Sequence, residues 1–389
     1  MPPRQHHAVQ GCCARPAIFQ VACSVSRLPE TRRTTRLAAP DFSGSPYPDW
    51  GYLKNFLFKK TTRRTPMFTL FLPGLNWPQP EELPSLHTPA LNRLLRFGRF
   101  QAAPAAPADF CFAHLGVQLN HLFTEPYAFA SPLHQQLGLH SAHLQSSGLA
   151  ISPEEAEVLC HGLNAFCGED GWQFAPLSPE LWSILLPRPA AWQAPCILNI
   201  AGQHADLPQA VAPQRGQWLQ RQTEIQMWLH EHPVNQRRQA EGRLPINALW
   251  LWDEMPDTHA EPPSLIGSNS PWAAYSRSPQ IRPAPVSLPD WQASSAESQT
   301  PIEHSALYLD ELQQAAELGN LHAYAHTLQQ WDERFFAPLW HALQRKHLPA
   351  ARLLTDGEHG GSLEIRARSG WAFWKPKRRF NDRLYGSAG

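Results

Sequence analysis

A short apolar run at residues 248–252 constrains this chain more than any other segment. It reads Ala-Leu-Trp-Leu-Trp, which is too short to span a bilayer and has the length of a buried strand. A polar and basic segment begins at residue 230, and Asp253, Glu254 and Pro256 close the run. Ligand-binding groups in open α/β sheets follow the ends of buried strands, so the pattern predicts a ligand-binding turn. The alternative is a surface helix end, a loop and a core strand.

Composition narrows the class of protein. The 389 residues allow two or three domains, and 33 Lys and Arg balance 33 Asp and Glu. This balance gives no support to a nucleic-acid or membrane-surface partner. No apolar run reaches the roughly 18 residues that a membrane span needs. The seven cysteines show no CxxC spacing, so we expect free thiols in a cytoplasmic protein.

The first 66 residues differ from the rest. They hold eleven Lys and Arg against three Asp and Glu, with little hydrophobic periodicity. We expect residues 1–66 to be a disordered or mis-assigned extension, with Met67 as the natural start. A mitochondrial-type presequence is the competing interpretation, because the segment is rich in arginine and poor in acidic residues.

From Met67 onward the pattern is that of an α/β protein. Residues 68–72 form an apolar strand, and residues 88–98 predict a helix that Thr88 caps and Pro89 opens. Ser152 and Glu155 have the spacing of a capping box. We expect the domains to be the following: 67–125, first part of an α/β core; 126–216, an inserted α+β domain; 217–376, second part of the core; 377–389, a frayed tail.

Three later segments also have patterns that indicate their structure. Residues 254–300 are rich in Pro, Ser and Ala and predict a long irregular connection. Residues 303–317 and 324–344 predict helices.

Three segments together resemble a known family. Residues 88–98 (TPALNRLLRFG), residues 152–166 with 182–186, and the segment from His232 through residues 247–252 are similar to the archaeal-type cofactor-independent phosphoglycerate mutases of the alkaline phosphatase superfamily. The resemblance covers about residues 67–376 and is greatest to a proteobacterial set, the RpfE-type regulatory proteins. It implies an alkaline-phosphatase-like core sheet flanked by helices, with an inserted small α+β domain.

The resemblance also implies a chemistry that this chain has partly lost. Such a mutase needs two divalent metals and a serine nucleophile. The family's Asp-Gly turn after the first strand is Pro73-Gly74 here, and the family's Ser-Asp pair is Ala108-Asp109. We therefore expect no catalytic residue and a catalytically degenerate protein with a regulatory or phosphometabolite-binding role. The alternative is an active metal-dependent phosphoglycerate mutase or phosphatase.

Remnants of a metal site are sparse. Asp356 and His359 are the candidates, separated by two residues instead of adjacent as in the family. The other acidic and histidine residues in the expected region have unfamiliar spacing: Asp290, Glu303, His304 and Asp310. We expect no cofactor, or a divalent ion such as Mn²⁺ or Zn²⁺ if the site is retained.

A phosphate-binding group is the other candidate site. Asn235, Arg237, Arg238, Arg243 and Asn247 supply forked and neutral donors suited to a phosphorylated metabolite. The alternative is that Arg238 and Asn247 only tie the insert to the core. A protein partner is expected but unidentified.

Overall fold

Two β-sheets organise the part of the chain that the computed structural model describes. The described residues are 67–77, 79–137, 142–201, 204–205, 215–256, 261–367, 374–385 and 387–388. The predicted extension, residues 1–66, lies outside them.

Strands and helices are interspersed along the described chain. The strands are β1 Phe68–Phe71, β2 Arg99–Ala102, β3 Tyr127–Leu137, β4 Ala142–Gln145, β5 Gln173–Ser178, β6 Leu181–Leu185, β7 His204–Ala205, β8 Ala248–Trp252, β9 Leu265–Ser268, β10 Ile281–Arg282, β11 Ser305–Tyr308, β12 Ala350–Thr355, β13 Gly361–Arg366, β14 Arg378–Arg379 and β15 Ser387–Ala388. The α-helices are α1 Pro89–Phe97, α2 Pro107–Leu115, α3 Pro153–Phe166, α4 Arg215–Glu231, α5 Pro233–Ala240, α6 Leu288–Glu297, α7 Glu311–Glu317, α8 Leu321–Trp331 and α9 Ala337–Gln344. A π-helical turn, Asp332–Phe336, joins α8 to α9.

The first sheet is mostly parallel. Its strand order is β10-β9-β11-β1-β12-β13-β2, and β1 runs parallel to both β11 and β12. β9 is parallel to β11, whereas β13 runs antiparallel to both of its neighbours, β12 and β2. Strands β1, β9 and β11 are buried along their whole length, as expected for a sheet covered by helices on both faces. This architecture confirms the predicted α/β class.

The second sheet is antiparallel. Its order is β5-β6-β3-β4-β7, and β8 also pairs with β3. All five residues of β8 are buried, and the rings of Phe129 and Trp252 stack across the pair at 4.6 Å. The predicted buried strand is therefore confirmed, with the predicted bounds.

Strand β8 belongs to the second sheet, although it lies beyond the predicted insert. Because β8 pairs with β3, the second sheet extends beyond residue 216, where the sequence suggested that the insert ends. Helix α4 covers this strand, and the Trp218 indole N–H donates to the Leu251 carbonyl at 3.1 Å. An apolar run indicates that a strand is buried, but it does not indicate which sheet buries it.

Two predictions for the later part of the chain were wrong. Residues 254–300 are not an irregular connection, since they contain β9 and helix α6. The helix predicted at 303–317 is instead the end of a 3₁₀ turn, Ile302–His304, followed by strand β11, and the α-helix is confined to α7. Both strands have four residues, and periodicity alone cannot distinguish so short an apolar run from part of a buried helix.

The start of α1 also differs from the prediction. The Thr88 side chain makes no capping hydrogen bond. The Asp332 carboxylate accepts from Ala90 N at 2.9 Å and Leu91 N at 2.7 Å. A residue 242 positions from Ala90 thus does what a local cap ordinarily does, and its negative charge suits the helix N-terminus.

The C-terminal segment packs on the protein instead of fraying at residue 377. Phe380 and Leu384 are buried in the core of the first sheet. Phe380 N donates to the Asn92 side-chain oxygen at 2.6 Å. The sequence did not predict this packing, because basic residues dominate the segment and only Phe380 and Leu384 hold it in the core.

One carboxylate joins the two sheets. Glu317, at the end of α7, accepts from the main-chain N–H groups of Ser146 at 2.5 Å and Ser147 at 2.9 Å, just after β4. Both serine hydroxyls also donate to it. None of the described helices is long and apolar enough to cross a membrane.

Candidate functional site

Four strand ends of the first sheet meet at one edge. Strands β9, β11, β1 and β12 are parallel, so their carboxyl ends lie on the same side, where α/β folds place ligand sites. The residues that follow them are Ser270 after β9, Asp310 after β11, Gly74 after β1 and Asp356 after β12.

Asp356 closes the turn that follows β1. Its Oδ1 accepts from Gly74 N at 2.9 Å, and its main-chain oxygen accepts from Asn76 Nδ2 at 2.7 Å. Burial raises the pKa of this carboxyl to about 6, although the Gly74 hydrogen bond acts in the opposite direction. One carboxylate oxygen of Asp356 therefore already has a hydrogen-bond donor within the protein, the Gly74 N–H.

Gly74 itself is held close to a helix. Its φ is +71°, and a Cβ at this position would lie 2.6 Å from the main-chain Cα of Gln313 on α7. Only glycine fits such a position without strain. The turn at Pro73 and Gly74 is thus packed between α7 and Asp356.

Asp310 is the second acid at this edge. Burial raises its pKa, and a hydrogen bond with Ser270 partly offsets that effect. Nearby, Tyr308 and Cys111 share a hydrogen bond, and burial raises the pKa of each of them. A thiol in that state is a small apolar group, not a nucleophile.

The position at which the resemblance places the family's serine is a buried methyl group. Ala108 is fully buried in the first turn of α2. Its main-chain N–H donates to Asn199 Oδ1 at 2.9 Å. The helix therefore presents no hydroxyl at this point.

The remaining metal candidates do not converge. His359 is exposed, whereas Asp356 is buried. Glu303 and His304 precede β11 and so lie toward the opposite edge of the sheet, and Asp290 lies on α6. Among the described residues there is no group of three or more His, Cys, Asp or Glu side chains placed to hold a metal ion.

The side chains at this edge therefore do not fit a dinuclear metal centre. Pro73 supplies no side-chain ligand, and Asp356 is engaged by Gly74. Asp310 is left as one further carboxylate, which is fewer ligands than two divalent ions require.

In the basic segment, Asn235 serves the backbone. It is buried, and its amide nitrogen donates to the carbonyls of Leu229 at 2.8 Å and Ile246 at 2.7 Å. Its amide oxygen accepts from Ile246 N at 2.8 Å. The side chain thus fastens the start of α5 to the segment that leads into β8.

Arg238 is also fully buried. Its guanidinium donates to the Leu244 carbonyl at 2.8 Å, to Glu155 at 2.7 Å and to the Leu149 carbonyl. Glu155 is the third helical residue of the predicted capping box, which the structure confirms with Ser152. Burial alone raises the pKa of Glu155, but the Ser152 N–H and two arginines lower it overall.

Of the other members of the basic group, Arg243 shares Glu155 with Arg238, whereas Asn247 has different partners. Arg243 donates to Glu155 at 3.0 Å and to the Ala150 carbonyl at 2.6 Å. Asn247 pairs with both main-chain groups of Gln135 on β3, at 2.7 and 2.9 Å. Arg237 is exposed.

Arg238 and Arg243 are thus brought together on Glu155, but the five donors do not converge on one open point. These contacts agree with a structural role, although Arg238 joins α5 to α3 and Asn247 joins β3 to the segment before β8, so neither side chain connects the two sheets. Phosphate binding by this group stays a prediction.

At this edge the sequence singled out Asp310 only as an acid in unfamiliar spacing, and it missed Ser270. Asp310 follows the run Ser305-Ala-Leu-Tyr-Leu309, in which an apolar stretch ends in an acid. That pattern is typical of a buried strand with a polar end, and assigning a helix there concealed it. Ser270 had no sequence signal that we can identify.

The comparisons with known proteins point to one group. No family model matches the chain. A 2,3-bisphosphoglycerate-independent phosphoglycerate mutase from Methanothrix thermoacetophila is 25% identical over 158 residues, which is 36% of this chain and 40% of the relative. This chain is related to the cofactor-independent phosphoglycerate mutases. The alignment spans only about two fifths of that relative's length.

Two solved structures are also similar. One is a cofactor-independent phosphoglycerate mutase from Thermoplasma acidophilum, with 14% identity, a TM-score of 0.36, and coverage of 83% of this chain and 95% of that one. The other is a protein from Pyrococcus horikoshii, with 14% identity, a TM-score of 0.43, and coverage of 82% and 92%.

Proposed function

We propose that this chain is a catalytically degenerate phosphoglycerate mutase-like protein with a regulatory role of the RpfE type, acting by binding a phosphorylated metabolite or a protein. The observation that carries the proposal is the turn after β1. Pro73 stands where the family resemblance implies a metal-binding Asp, and the Asp356 carboxylate accepts a hydrogen bond from Gly74.

The nucleophile position supports the same conclusion. Phosphoryl transfer through a covalent phosphoserine needs a hydroxyl whose pKa is lowered by adjacent metal ions. Ala108 offers a methyl group that is fully buried. The two requirements of this chemistry, ligands and nucleophile, are thus absent at the two corresponding positions.

One observation favours the alternative of an active enzyme with a rearranged site. Asp310 and Asp356 follow strands β11 and β12, which flank β1. Burial raises the pKa of both carboxyls. Perturbed carboxyls at a strand edge are common in active sites. They are also what burial of any carboxyl produces, so the pair alone does not identify a reaction.

An activity assay separates the two proposals. The full chain is purified, its metal content is measured, and 3-phosphoglycerate turnover is assayed with added Mn²⁺. We expect turnover to lie at least about a thousandfold below the roughly 10 s⁻¹ that is typical of enzymes. Mn²⁺-dependent turnover that Asp356→Ala and Asp310→Ala each abolish, and that Asp290→Ala leaves unchanged, would overturn the degenerate assignment.

A binding assay tests the regulatory role. We expect 3-phosphoglycerate to raise the melting temperature saturably, since a ligand that binds only the folded state stabilises it. Glycerate, which lacks the phosphate, is the matched control. Equal shifts with both compounds, or none with either, would remove the phosphometabolite from the proposal and leave a protein partner.

A further inference from the structure

An exposed face of helix α8 carries two histidines one turn apart. His322 and His326 are the one pair among the nineteen histidines whose positions differ by four. Both side chains are exposed. Their rings are nearly parallel, at 8°, with 6.5 Å between centroids.

The rest of α8 explains why this face is open. Tyr324, Leu328 and Trp331 are the buried residues of the helix. They anchor one side of α8 in the core of the first sheet, which leaves the histidine side in solvent. Since residues i and i+4 lie on the same face, the two imidazoles are fixed as neighbours by the helix.

We propose that His322 and His326 form a surface chelate for a divalent transition metal of the Ni²⁺, Cu²⁺ or Zn²⁺ type. Neutral imidazole nitrogen is a good ligand for these ions, at a metal–nitrogen distance of about 2.0–2.1 Å. A bound ion requires the two rings to turn towards each other, and their exposure allows that rotation. Two protein ligands leave the other coordination positions to water or to a second molecule.

Two features of the exposed face of α8 determine which metal ions His322 and His326 select and how tightly they bind them. No carboxylate precedes the pair in the first turn of α8, so a hard ion such as Mg²⁺ finds no preferred oxygen ligand. The positive end of the helix dipole lies at His322 and opposes a cation there. We therefore expect binding that depends on imidazole and that is weaker than in a structural zinc site.

The position of Gln330 allows the histidine pair to be rebuilt one turn further along the helix. It lies one further turn along the same face, and its amide nitrogen is 3.5 Å from His326 Nε2. Replacing Gln330 with histidine creates a second i, i+4 pair with His326. That pair sits nearer the C-terminal end of α8, where the helix dipole favours a cation.

The experiment is a calorimetric titration of the metal-stripped full chain with Ni²⁺, and with Mg²⁺ as the negative control. His6 and His7, near the N-terminus, are replaced by alanine in every protein so that they add no binding. We expect His322→Ala and His326→Ala each to weaken Ni²⁺ binding at least about tenfold, because a chelate becomes a single ligand. His341→Ala, which removes one exposed histidine from α9, should leave binding unchanged.

Two double variants decide between a chelate and a general histidine effect. His322→Ala with Gln330→His should regain the binding of the parent. His326→Ala with Gln329→His keeps the number of histidines but separates them by about two turns, so it should not. Binding equal to that of the parent in His326→Ala, or failure of the Gln330→His variant to restore it, would overturn the site. Circular dichroism of each variant establishes that α8 is folded.

Discussion

The Asp356 carboxylate accepts a hydrogen bond from the main-chain N–H of Gly74, with 2.9 Å between Oδ1 and the nitrogen. The two residues are 282 positions apart, and they join the ends of neighbouring strands β1 and β12. An acid that the resemblance implies as a metal ligand is thus part of a main-chain turn.

Asparagine and alanine at position 356 should behave differently. Asparagine keeps an oxygen that can accept from Gly74, so we expect Asp356→Asn to change the free energy of unfolding by less than about 1 kcal/mol. Asp356→Ala leaves a buried N–H without a partner, which costs about 1–3 kcal/mol. Urea denaturation at about pH 4 measures both, because Asp356 is then protonated in the folded state and its buried charge does not enter the comparison. Equal destabilisation by the two variants would show that the hydrogen bond is not what Asp356 contributes.

Two glycines with the same backbone angle provide a matched pair. Gly74 and Gly242 both have φ of +71°, but a Cβ at Gly74 would meet the main chain of Gln313, whereas one at Gly242 would meet nothing within 4 Å. Gly242→Ala should cost only the left-handed strain, about 1–2 kcal/mol. Gly74→Ala should cost a further 1–3 kcal/mol or so, because α7 must move. Similar melting temperatures for the two variants would contradict the close packing at the β1 turn.

Arg238 and its neighbour Arg237 test the structural role of the basic segment. Arg238→Ala removes a buried partner of Glu155, and we expect the free energy of unfolding to fall by about 3 kcal/mol. Arg237 is exposed, so Arg237→Ala should change stability by no more than about 0.5 kcal/mol. Chemical denaturation gives both values. A stable Arg238→Ala protein that has lost binding of 3-phosphoglycerate would instead favour the ligand role.

Asp253 should make stability depend on pH. Burial raises its pKa to about 6, with the adjacent Glu254 adding to the shift and the Ala194 N–H opposing it. The unfolded value is near 3.9, so between about pH 4 and pH 6 the folded state binds more protons. The free energy of unfolding therefore falls as the pH rises through this window, and it stays lower at higher pH because Asp253 is then ionised in the folded state.

The matching variant is Asp253→Asn, which keeps an acceptor for Ala194 N. Relative to wild type, its free energy of unfolding should be similar at pH 4 and higher by about 1 kcal/mol at pH 7.5, once screening of this half-buried group is allowed for. Asp356 has a pKa raised in the same direction, so the variant reduces the pH dependence without abolishing it. A difference that is constant across this range would contradict the assignment to Asp253.

Local chemistry made parts of the fold predictable. Strand β8 was found with its bounds because five consecutive apolar residues end in acids and proline. Helix α3 was found because Ser152 and Glu155 cap each other within four residues. In both cases the determining interaction is encoded by neighbours in the chain.

Other parts depended on distant partners. Thr88 has the residue type of a cap, but Asp332 supplies the cap. Arg238 has the residue type of a phosphate ligand, but Glu155 and two carbonyls occupy its donors. In each case the sequence shows what kind of hydrogen bond the side chain can make, but it does not show which distant residue is the partner.

The sequence by itself determined that this is an α/β chain and that Pro73 and Ala108 have no reactive side chain where the family resemblance places one. Both follow from residue types and local patterns. Only the tertiary structure decided that β8 pairs with β3, that Asp310 and Asp356 share one edge, and that Arg238 of the basic segment joins α5 to α3. Those facts depend on contacts between residues far apart in the chain, which a single sequence does not specify.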